Sequence, residues 1–419
     1  MSIQFDIVVV GGGLAGACTA ALLVRHAGVA AERVALLSND APQPCQPNDP
    51  AELRVVAISR ASERVLRAAA AWPLINQSRL CAYERVRVWH ETSPPVGDSS
   101  LCFEAADIGE PNLGFIAENG ALMHACQRSF AASGGVRIDS VLEELDFSAD
   151  RATLRCANGQ RLSARLVIGA DGAQSLVRAR SGLDVRTLDY QQLAIVATVR
   201  TDQPHENTAW QRFLHTGPLA LLPLFNGHSS LVWSMDRAPA QQLCDIPDAQ
   251  FNERLTAASD EVLGATTLVS ERVSFPLRSM AVQSYVAARC ALVGDAAHVI
   301  HPLAGQGANL GLLDAAALCE AVAQAYEQRE DPGALRLLRH YEQQRRTHNV
   351  LMDTAMSAFK SGFGVSVGPG AWLINRALGA VNRSAVLKRA FARQALGTVG
   401  GLPRLARESG EIAGGRRWG

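Results

Sequence analysis

The sequence predicts an α/β protein with a Rossmann-like nucleotide-binding domain, a second, mainly antiparallel β-sheet domain, and helices at its C-terminal end. The chain opens with a strand, a glycine-rich turn and a helix, and two later apolar runs, Leu162–Gly169 and Cys290–Val293, have the pattern of buried strands. Between about Asp189 and Pro276, short alternating strands replace that pattern. A chain of 419 residues is too long for one compact core, so two domains are expected.

The bulk composition excludes several classes of protein. The formal net charge is zero, which argues against a nucleic-acid partner. The nine cysteines are odd in number and form no C-x-x-C pair, so we predict no metal site, no disulfide framework and a cytoplasmic location. Ile7–Val24 approaches the length of a membrane span, but adjacent glycines interrupt it, and a buried strand followed by a buried helix explains it better.

The first predicted unit is a βαβ opening. Phe5–Val10 is a β-branched run typical of a strand buried on both faces, Leu14 to about His26 is a helix, and Arg33–Leu37 is the second strand. Gly11–Gly16, a G-x-G-x-x-G motif, forms the turn between the first strand and the helix. This context predicts a dinucleotide site in which the helix N-terminus presents free N–H groups to phosphates.

Each glycine of the motif has a distinct expected role. Gly11 permits the tight turn, Gly13 lets the backbone approach a pyrophosphate, and Gly16 lets helix and strand pack closely. The acid that usually ends the second strand and binds a ribose is replaced by Ser38. Asp40 could substitute if its loop bends back, and the sequence leaves both assignments open.

Two further motifs follow predicted strands. Asp171 lies in Gly169–Gly172 and is well placed to cap the next helix. The third motif ends a buried strand at Asp295, continues through a small-residue loop over Pro302–Gly307, and opens a long helix whose positive end would stabilise a reduced flavin. Together the three motifs convert a dinucleotide prediction into an FAD prediction.

Other predicted elements place these motifs within the two domains. The predicted helices are Asn119–Ala132, Ala249–Ala258, Gly307–Glu327 and Leu335–Ala358, and the predicted strands include Arg85–His90, Ala194–Arg200, Trp210–Leu214, Leu219–Pro223 and Ser230–Ser234. We predict FAD-binding segments at 1–84, 111–188 and 277–330, substrate-domain segments at 85–110 and 189–276, and a C-terminal helical region at 331–419.

The three motifs together resemble those of a known family. The three motifs, in this order and spacing, look like class A flavoprotein monooxygenases of the para-hydroxybenzoate hydroxylase fold. Four stretches, Leu53–Ser59, Leu113–Asn119, Phe275–Leu277 and Gly294–Gly311, are similar to the ubiquinone-biosynthesis hydroxylases of the UbiH/VisC group. The resemblance extends from about Phe5 to about Gly397.

The resemblance implies site residues for FAD. The implied cofactor contacts are Gly11, Gly13, Gly16, Arg54, Asp171, Asp295, Pro302, Gly305, Gln306, Gly307, Ala308 and Asn309. Ser38, at the end of the second predicted strand, is added to them as the candidate contact to the ribose. His301 is the candidate for proton transfer, whereas His298 fits a hydrogen-bonded structural role better. Candidate walls of a water-poor substrate pocket are Trp210, Phe213, Leu221, Leu222, Leu224 and Phe225, although sheet core explains each of them equally well.

The implied reaction is hydroxylation of a polyprenylated phenol by O₂ through a flavin C4a-hydroperoxide, with NAD(P)H or another reductant as electron donor. The stretches Asp189–Gln191, Val196–Thr201 and Leu53–Ser59 look most like members that hydroxylate ring carbon 5 of 2-polyprenylphenol. Two alternatives remain. One is a hydroxylase of another ring position or phenol, and the other is a non-catalytic flavin-binding subunit of a quinone-synthesis assembly.

The last expectations concern partners and location. Other ubiquinone-biosynthesis proteins are expected partners. Phe363–Phe391 contains apolar residues amid arginines, so it could lie on the inner face of a membrane, bind a partner, or pack against its own domain.

Overall fold

The computed structural model describes residues 2–41, 44–46, 48–97, 100–300, 306–347, 349 and 401–407. Of Gln306, only the helical backbone is described. The predictions on His301, Pro302, Gly305 and Phe363–Phe391 lie outside the described residues, as does the predicted helix Leu335–Ala358 beyond position 349. Residues 335–347 are helical.

The described elements are numbered in chain order. The strands are β1 Ile3–Gln4, β2 Ile7–Val10, β3 Val34–Leu37, β4 Val55–Ser59, β5 Cys81–Tyr83, β6 Arg85–His90, β7 Leu101–Glu104, β8 Gly114–Glu118, β9 Val136–Ile138, β10 Leu142–Phe147, β11 Ala152–Cys156, β12 Arg161–Ala164, β13 Leu166–Gly169, β14 Val185–Thr201, β15 Thr208–Leu214, β16 Gly217–Pro223, β17 Ser229–Asp236, β18 Thr266–Leu268, β19 Val273–Val282, β20 Val286–Ala287, β21 Cys290–Leu292 and β22 His298–Val299. The helices are α1 Leu14–His26, α2 Arg60–Ala68, α3 Asn119–Ala132, α4 Leu176–Arg180, α5 Arg237–Asp245, α6 Asp248–Ala258 and α7 Gln306–Glu327. The predicted helices over Leu14–His26 and Asn119–Ala132 are confirmed.

The nucleotide-binding domain is built on a six-stranded sheet in the order β20-β21-β13-β2-β3-β9. All neighbouring strands are parallel except β20 and β21. Every residue of β2, β3 and β13 is buried, which explains their continuous apolar sequences. In the ladder, Leu292 pairs with Gly169, Gly169 with Val10, and Val10 with Leu37, so these carboxyl ends lie level.

One predicted strand proved to be two. The run Leu162–Gly169 divides at Arg165 into β12, which pairs with β1 and β11, and β13, which pairs with β2 and β21. The backbone N–H of Arg165 donates to the Asp6 carbonyl as the chain passes from one sheet to the other. The sheet β1-β12-β11-β10 was not predicted. Burial alternates along β11, whereas β10 and β12 show no such regular pattern.

The second large sheet is mainly antiparallel, as predicted. Its order is β22-β19-β14-β17-β16-β15-β6-β7, with β18 added on β14, and only β15 and β6 pair in parallel. Helices α5 and α6 cover one face through Leu243, Phe251 and Leu255. The predicted strand Ala194–Arg200 is the centre of the longer β14.

A small sheet, β4-β8-β5, lies between the two larger ones. Val55 and Ala57 of β4 belong to an apolar cluster with Leu222 of β16, whereas Val56 and Ile58 lie in the core of the nucleotide-binding domain. Because successive side chains of β4 point to opposite faces, this one strand packs against both domains. Within the described chain, no helix has the length and apolar character of a membrane span.

Candidate functional site

A cavity of about 600 Å³ opens at the level carboxyl ends of β3, β2, β13 and β21. This edge of a parallel sheet is where nucleotides bind in doubly wound folds. The cavity volume lies within the range of small-molecule and cofactor sites, roughly 300–1,000 Å³. Most of the described residues with a predicted cofactor role line this cavity: Gly11, Gly13, Ser38, Arg54, Asp171, Asp295, Gly307 and Ala308.

The glycines of the first motif have three different environments. Gly11 has φ +106°, and a Cβ there would lie 2.3 Å from the Ala170 carbonyl oxygen. A Cβ at Gly16 would lie 2.0 Å from the Gly11 carbonyl oxygen. A Cβ at Gly13 would meet no described atom within 4 Å and would point into free space beside the cavity. The geometry therefore matches the tight turn, close packing and open approach expected of Gly11, Gly16 and Gly13.

Helix α1 begins at the cavity without a side-chain cap among the described residues. Gly13, Leu14 and Ala15 line the cavity at this end. The first N–H groups of a helix need acceptors from outside it, and the helix dipole favours an anion there. The exposed Arg54 lies on the same cavity and makes no ion pair among the described residues. A pyrophosphate fits this arrangement of donors.

Asp171 caps a helix and also reaches the cavity. Its carboxylate accepts hydrogen bonds from the Leu176 and Val177 N–H groups at 2.7 and 3.1 Å and from the Ser175 hydroxyl at 2.5 Å. The capping role predicted from the sequence is confirmed. Because Asp171 and Gly172 also line the cavity, this cap fixes part of the cavity wall.

The third motif forms a turn after β21. Gly294 has φ +59°, and a Cβ there would lie 2.9 Å from the Ala15 Cβ of α1. The next residue, Asp295, is exposed and lines the cavity, which suits a carboxylate that accepts from hydroxyl groups. Arg178 of α4 donates to the Ala296 carbonyl at 2.9 Å and so ties the second motif to the third.

Asn309 does not line the cavity. Its side-chain amide donates to the Ala57 carbonyl at 2.8 Å and accepts from the Ser59 N–H at 2.9 Å, so it clamps the start of α7 to β4. Gly307 and Ala308, just before it, do line the cavity. The geometry gives the Asn309 side chain a positioning role, and the direct contact predicted for it stays a prediction.

The sequence relationships agree with this geometry. A model of the FAD binding domain family matches residues 121–354. The 3-demethoxyubiquinol 3-hydroxylase of Escherichia coli K12 is 34% identical over 94% of this chain and 98% of its own, and the ubiquinone hydroxylase UbiL of Rhodospirillum rubrum is 36% identical over 94% and 90%. The crystal structure of p-nitrophenol 4-monooxygenase from Pseudomonas putida DLL-E4 has a TM-score of 0.73 at 19% identity, covers 94% of this chain and 99% of that one, and shows the shared fold.

The chain belongs to the ubiquinone-biosynthesis flavin hydroxylase family. It is an FAD-dependent monooxygenase, and NAD(P)H is the typical reductant of this class. The resemblance inferred from the motifs is confirmed.

A buried polar cluster is hydrogen-bonded to the third motif of this hydroxylase at Gly294. The Asp314 carboxylate accepts from His298 Nε2 at 2.5 Å, from Arg345 Nε at 2.7 Å and from the Gly294 N–H at 3.2 Å. Asp314 and Arg345 are fully buried. Burial alone would raise the pKa of Asp314, but the charges of His298 and Arg345 and their hydrogen bonds hold that pKa well below its ordinary range.

The structural role predicted for His298 is confirmed, since the ring is buried and hydrogen-bonded. Sequence reasoning missed Asp314 and Arg345. A carboxylate in the apolar run of α7 was the available signal, but nothing in the sequence pairs position 314 with position 345.

The residues predicted to line the substrate pocket of the hydroxylase do not lie on one common face of the large sheet. Trp210 and Leu221 pack in the cluster of α5 and α6, so for them the alternative of sheet core is the observed one. Phe213 and Leu222 lie on the opposite sheet face. Leu224 belongs to the cluster that contains β4 residues, and the Phe225 ring lies 4.5 Å from the Arg79 guanidinium carbon.

The clamp by Asn309 gives a testable prediction. We expect Asn309→Ala to lower the free energy of unfolding by about 1–3 kcal/mol, because the Ser59 N–H and the Ala57 carbonyl lose their partner. Chemical denaturation of the FAD-loaded protein measures this change. The matched control is Asn158→Ala, because Asn158 is exposed and its amide bonds only within its own turn. Equal effects of the two substitutions would contradict the prediction.

Proposed function

We propose that this hydroxylase inserts one oxygen atom of O₂ into the ring of a polyprenylated phenol in ubiquinone biosynthesis, at ring carbon 5 of 2-polyprenylphenol. The observation that carries the proposal is the cavity in which all three predicted motifs meet, in a chain 34% identical over 94% of its length to a hydroxylase of a ubiquinol precursor. The choice of ring carbon 5 rests on Asp189–Gln191, Val196–Thr201 and Leu53–Ser59.

The residues around the cavity divide the work of holding the cofactor. The N-terminus of α1 and Arg54 would hold the pyrophosphate, Asp295 the ribityl chain, and Gly307 and Ala308 the flat ring. When bound, FAD supplies the oxygen-activating chemistry. The contacts of Pro302 and Gly305 and proton transfer by His301 remain proposals, as does the division of the chain at 85, 111, 189, 277 and 331.

The protein must then place an apolar phenol beside the ring and keep water away. The face of the large sheet opposite α5 and α6 is suited to this task. Val196, Ala220 and Val232 are cross-strand neighbours there and are half-buried, whereas the other face is packed. Leu222 on the same face belongs to the apolar cluster that includes Val55 and Ala57 of β4. Val56 of β4 and Arg54, which precedes the strand, line the FAD cavity.

A variant on this face tests the pocket. We expect Val232→Lys to lower kcat/KM for hydroxylation at least about tenfold, because an ammonium beside Val196 and Ala220 is costly to desolvate. FAD content should stay unchanged, since Val232 is not on the cavity. The control is Gln242→Lys on α5, an exposed position beyond the other face. Unchanged kcat/KM in Val232→Lys would rule out this face as the substrate wall.

A second candidate reaction follows from the Escherichia coli relative, which is named for hydroxylation of 3-demethoxyubiquinol. Deleting the gene and identifying the accumulated quinone precursor by mass spectrometry separates the two. Accumulation of 2-polyprenylphenol supports attack at ring carbon 5, and accumulation of a 3-demethoxy precursor supports the second candidate. An unchanged quinone pool would overturn both.

The polyprenyl tail also bears on location. A long prenyl chain resides in the bilayer, so we propose that the protein contacts the membrane peripherally and works beside other ubiquinone-biosynthesis proteins. Co-sedimentation of the full chain with anionic vesicles tests this contact, and its absence at low salt would contradict it.

A further inference from the structure

The second strand of the nucleotide fold ends at Leu37 without the usual ribose-binding acid, and the structure shows what takes its place. Ser38 is 4% exposed, and its hydroxyl accepts a hydrogen bond from the Asp40 N–H at 3.0 Å. The same hydroxyl lies 3.3 Å from the Asp40 carboxylate and donates to it. Ser38 thereby uses its polar atom to fold the next two residues back.

The turn places a carboxylate at the cavity. Asp40 is exposed and lines the cavity together with Asn39, next to Gly11 and Gly13 of the pyrophosphate turn. An ionised carboxylate offers two oxygens to the two hydroxyls of a ribose, whereas the Ser38 hydroxyl offers one and is already engaged. Asp40 lies two residues after position 38, where the usual acid would stand, but at the same end of β3.

Two side chains from outside the βαβ unit hold this turn. Arg137 on β9 donates to the Asp40 carbonyl at 2.8 Å and also to the Gln127 side-chain oxygen. Gln127 on α3 is buried, and its NH₂ donates to the Gly12 carbonyl at 2.8 Å. The chain of contacts therefore runs from the glycine turn through Gln127 and Arg137 to Asp40.

We propose that Asp40 is the ribose-binding carboxylate of the FAD site and that Gln127 and Arg137 are positioning residues that hold it in register with the glycine turn. The proposal rests on FAD binding in this cavity and does not depend on which ring carbon is hydroxylated. The same cavity is also lined by Ser140, Val141 and Leu142, which follow β9 after Asp139. One short segment thus supplies both a wall of the cavity and the arginine that holds Asp40.

The test compares ADP with 2′-deoxy-ADP as competitors of FAD for the full-length protein. The unaltered protein should prefer ADP by about tenfold, the value of one hydrogen bond to a charged group. Asp40→Asn should reduce that preference to about twofold or less. Asp139→Asn is the matched control, because Asp139 also binds Arg137 but does not line the cavity, and it should keep the full preference.

A second variant tests the positioning residues. Gln127→Glu keeps an acceptor for Arg137 but replaces the donor to the Gly12 carbonyl by a carboxylate, so we expect FAD to bind about tenfold more weakly. Arg137→Met should lower the ADP preference as Asp40→Asn does, since the turn loses its support. Full preference for ADP in Asp40→Asn would overturn the ribose assignment, and full preference in Arg137→Met would overturn the positioning role. A merely structural role would change thermal stability without changing the ratio of the two affinities.

Discussion

Arg345→Met is expected to lower the free energy of unfolding by about 3–5 kcal/mol, as removal of one partner from a buried ion pair usually does. The substitution leaves Asp314 fully buried, with His298, the Gly294 N–H and the more distant Asn349 amide at 3.4 Å as its remaining described partners. Asp314 holds the Gly294 N–H at the turn that presents Asp295 to the cavity. We therefore expect weaker FAD retention together with lower stability, measured by denaturation and by released flavin fluorescence.

The helix of residues 335–347, which contains Arg345, also offers a matched control. Arg336 also forms an ion pair, with Glu330, but its side chain is 73% exposed. Exposed pairs contribute about 0–1 kcal/mol, so Arg336→Met should leave stability and FAD retention nearly unchanged. Comparable losses in the two variants would mean that the buried cluster has no special role.

The cluster also predicts the acid limb of the stability profile. A carboxyl whose pKa is lower in the folded state stabilises the fold at pH values above its unfolded pKa, about 3.9 for aspartate. That contribution is lost as the pH falls below this value toward the lower folded pKa of Asp314. Unfolding free energies measured between pH 6 and pH 3 should therefore fall less steeply in Arg345→Met than in the unaltered protein.

Gly13→Val is expected to weaken FAD binding by at least about a hundredfold while the protein still folds. The valine would meet no described atom within 4 Å at its Cβ, and the backbone at Gly13 is extended, with φ −61° and ψ 177°. It would, however, occupy the space beside the start of α1, where two charge-assisted hydrogen bonds to the proposed pyrophosphate would contribute about 1.5–3 kcal/mol each. Titration of FAD into the purified variant measures the loss.

The informative comparison is Gly16→Val. Its Cβ would lie 2.0 Å from the Gly11 carbonyl oxygen and 2.8 Å from the Ala170 Cβ, so the helix and strand would have to separate. This variant should lose stability first and FAD as a consequence. If Gly13→Val unfolds like Gly16→Val, or if it keeps full FAD affinity, the assignment of Gly13 to the pyrophosphate is wrong.

How much could be read from the sequence depended on the range of the interaction. The glycines, Asp171 and Asp295 could be predicted as site residues because each follows a run of buried-strand residues, and such runs are local signals. The division of Leu162–Gly169 into two strands was missed because only pairing partners distinguish β12 from β13. Among the pocket-wall candidates, alternation could not say which face α5 and α6 cover.

The sequence by itself determined that the chain has a split nucleotide site, that the bound nucleotide is FAD, and that the family is that of the ubiquinone-biosynthesis hydroxylases. Those conclusions rest on short motifs whose backbone requirements are written in glycines and in residues that end strands. Only the tertiary structure decided which residue takes the place of the acid missing at Ser38, and which residues support the turn at Gly294. Arg137 reaches Asp40 across 97 positions, and Arg345 reaches Asp314 across 31. Contacts between such distant positions arise from the packing of whole elements, and no local pattern records them.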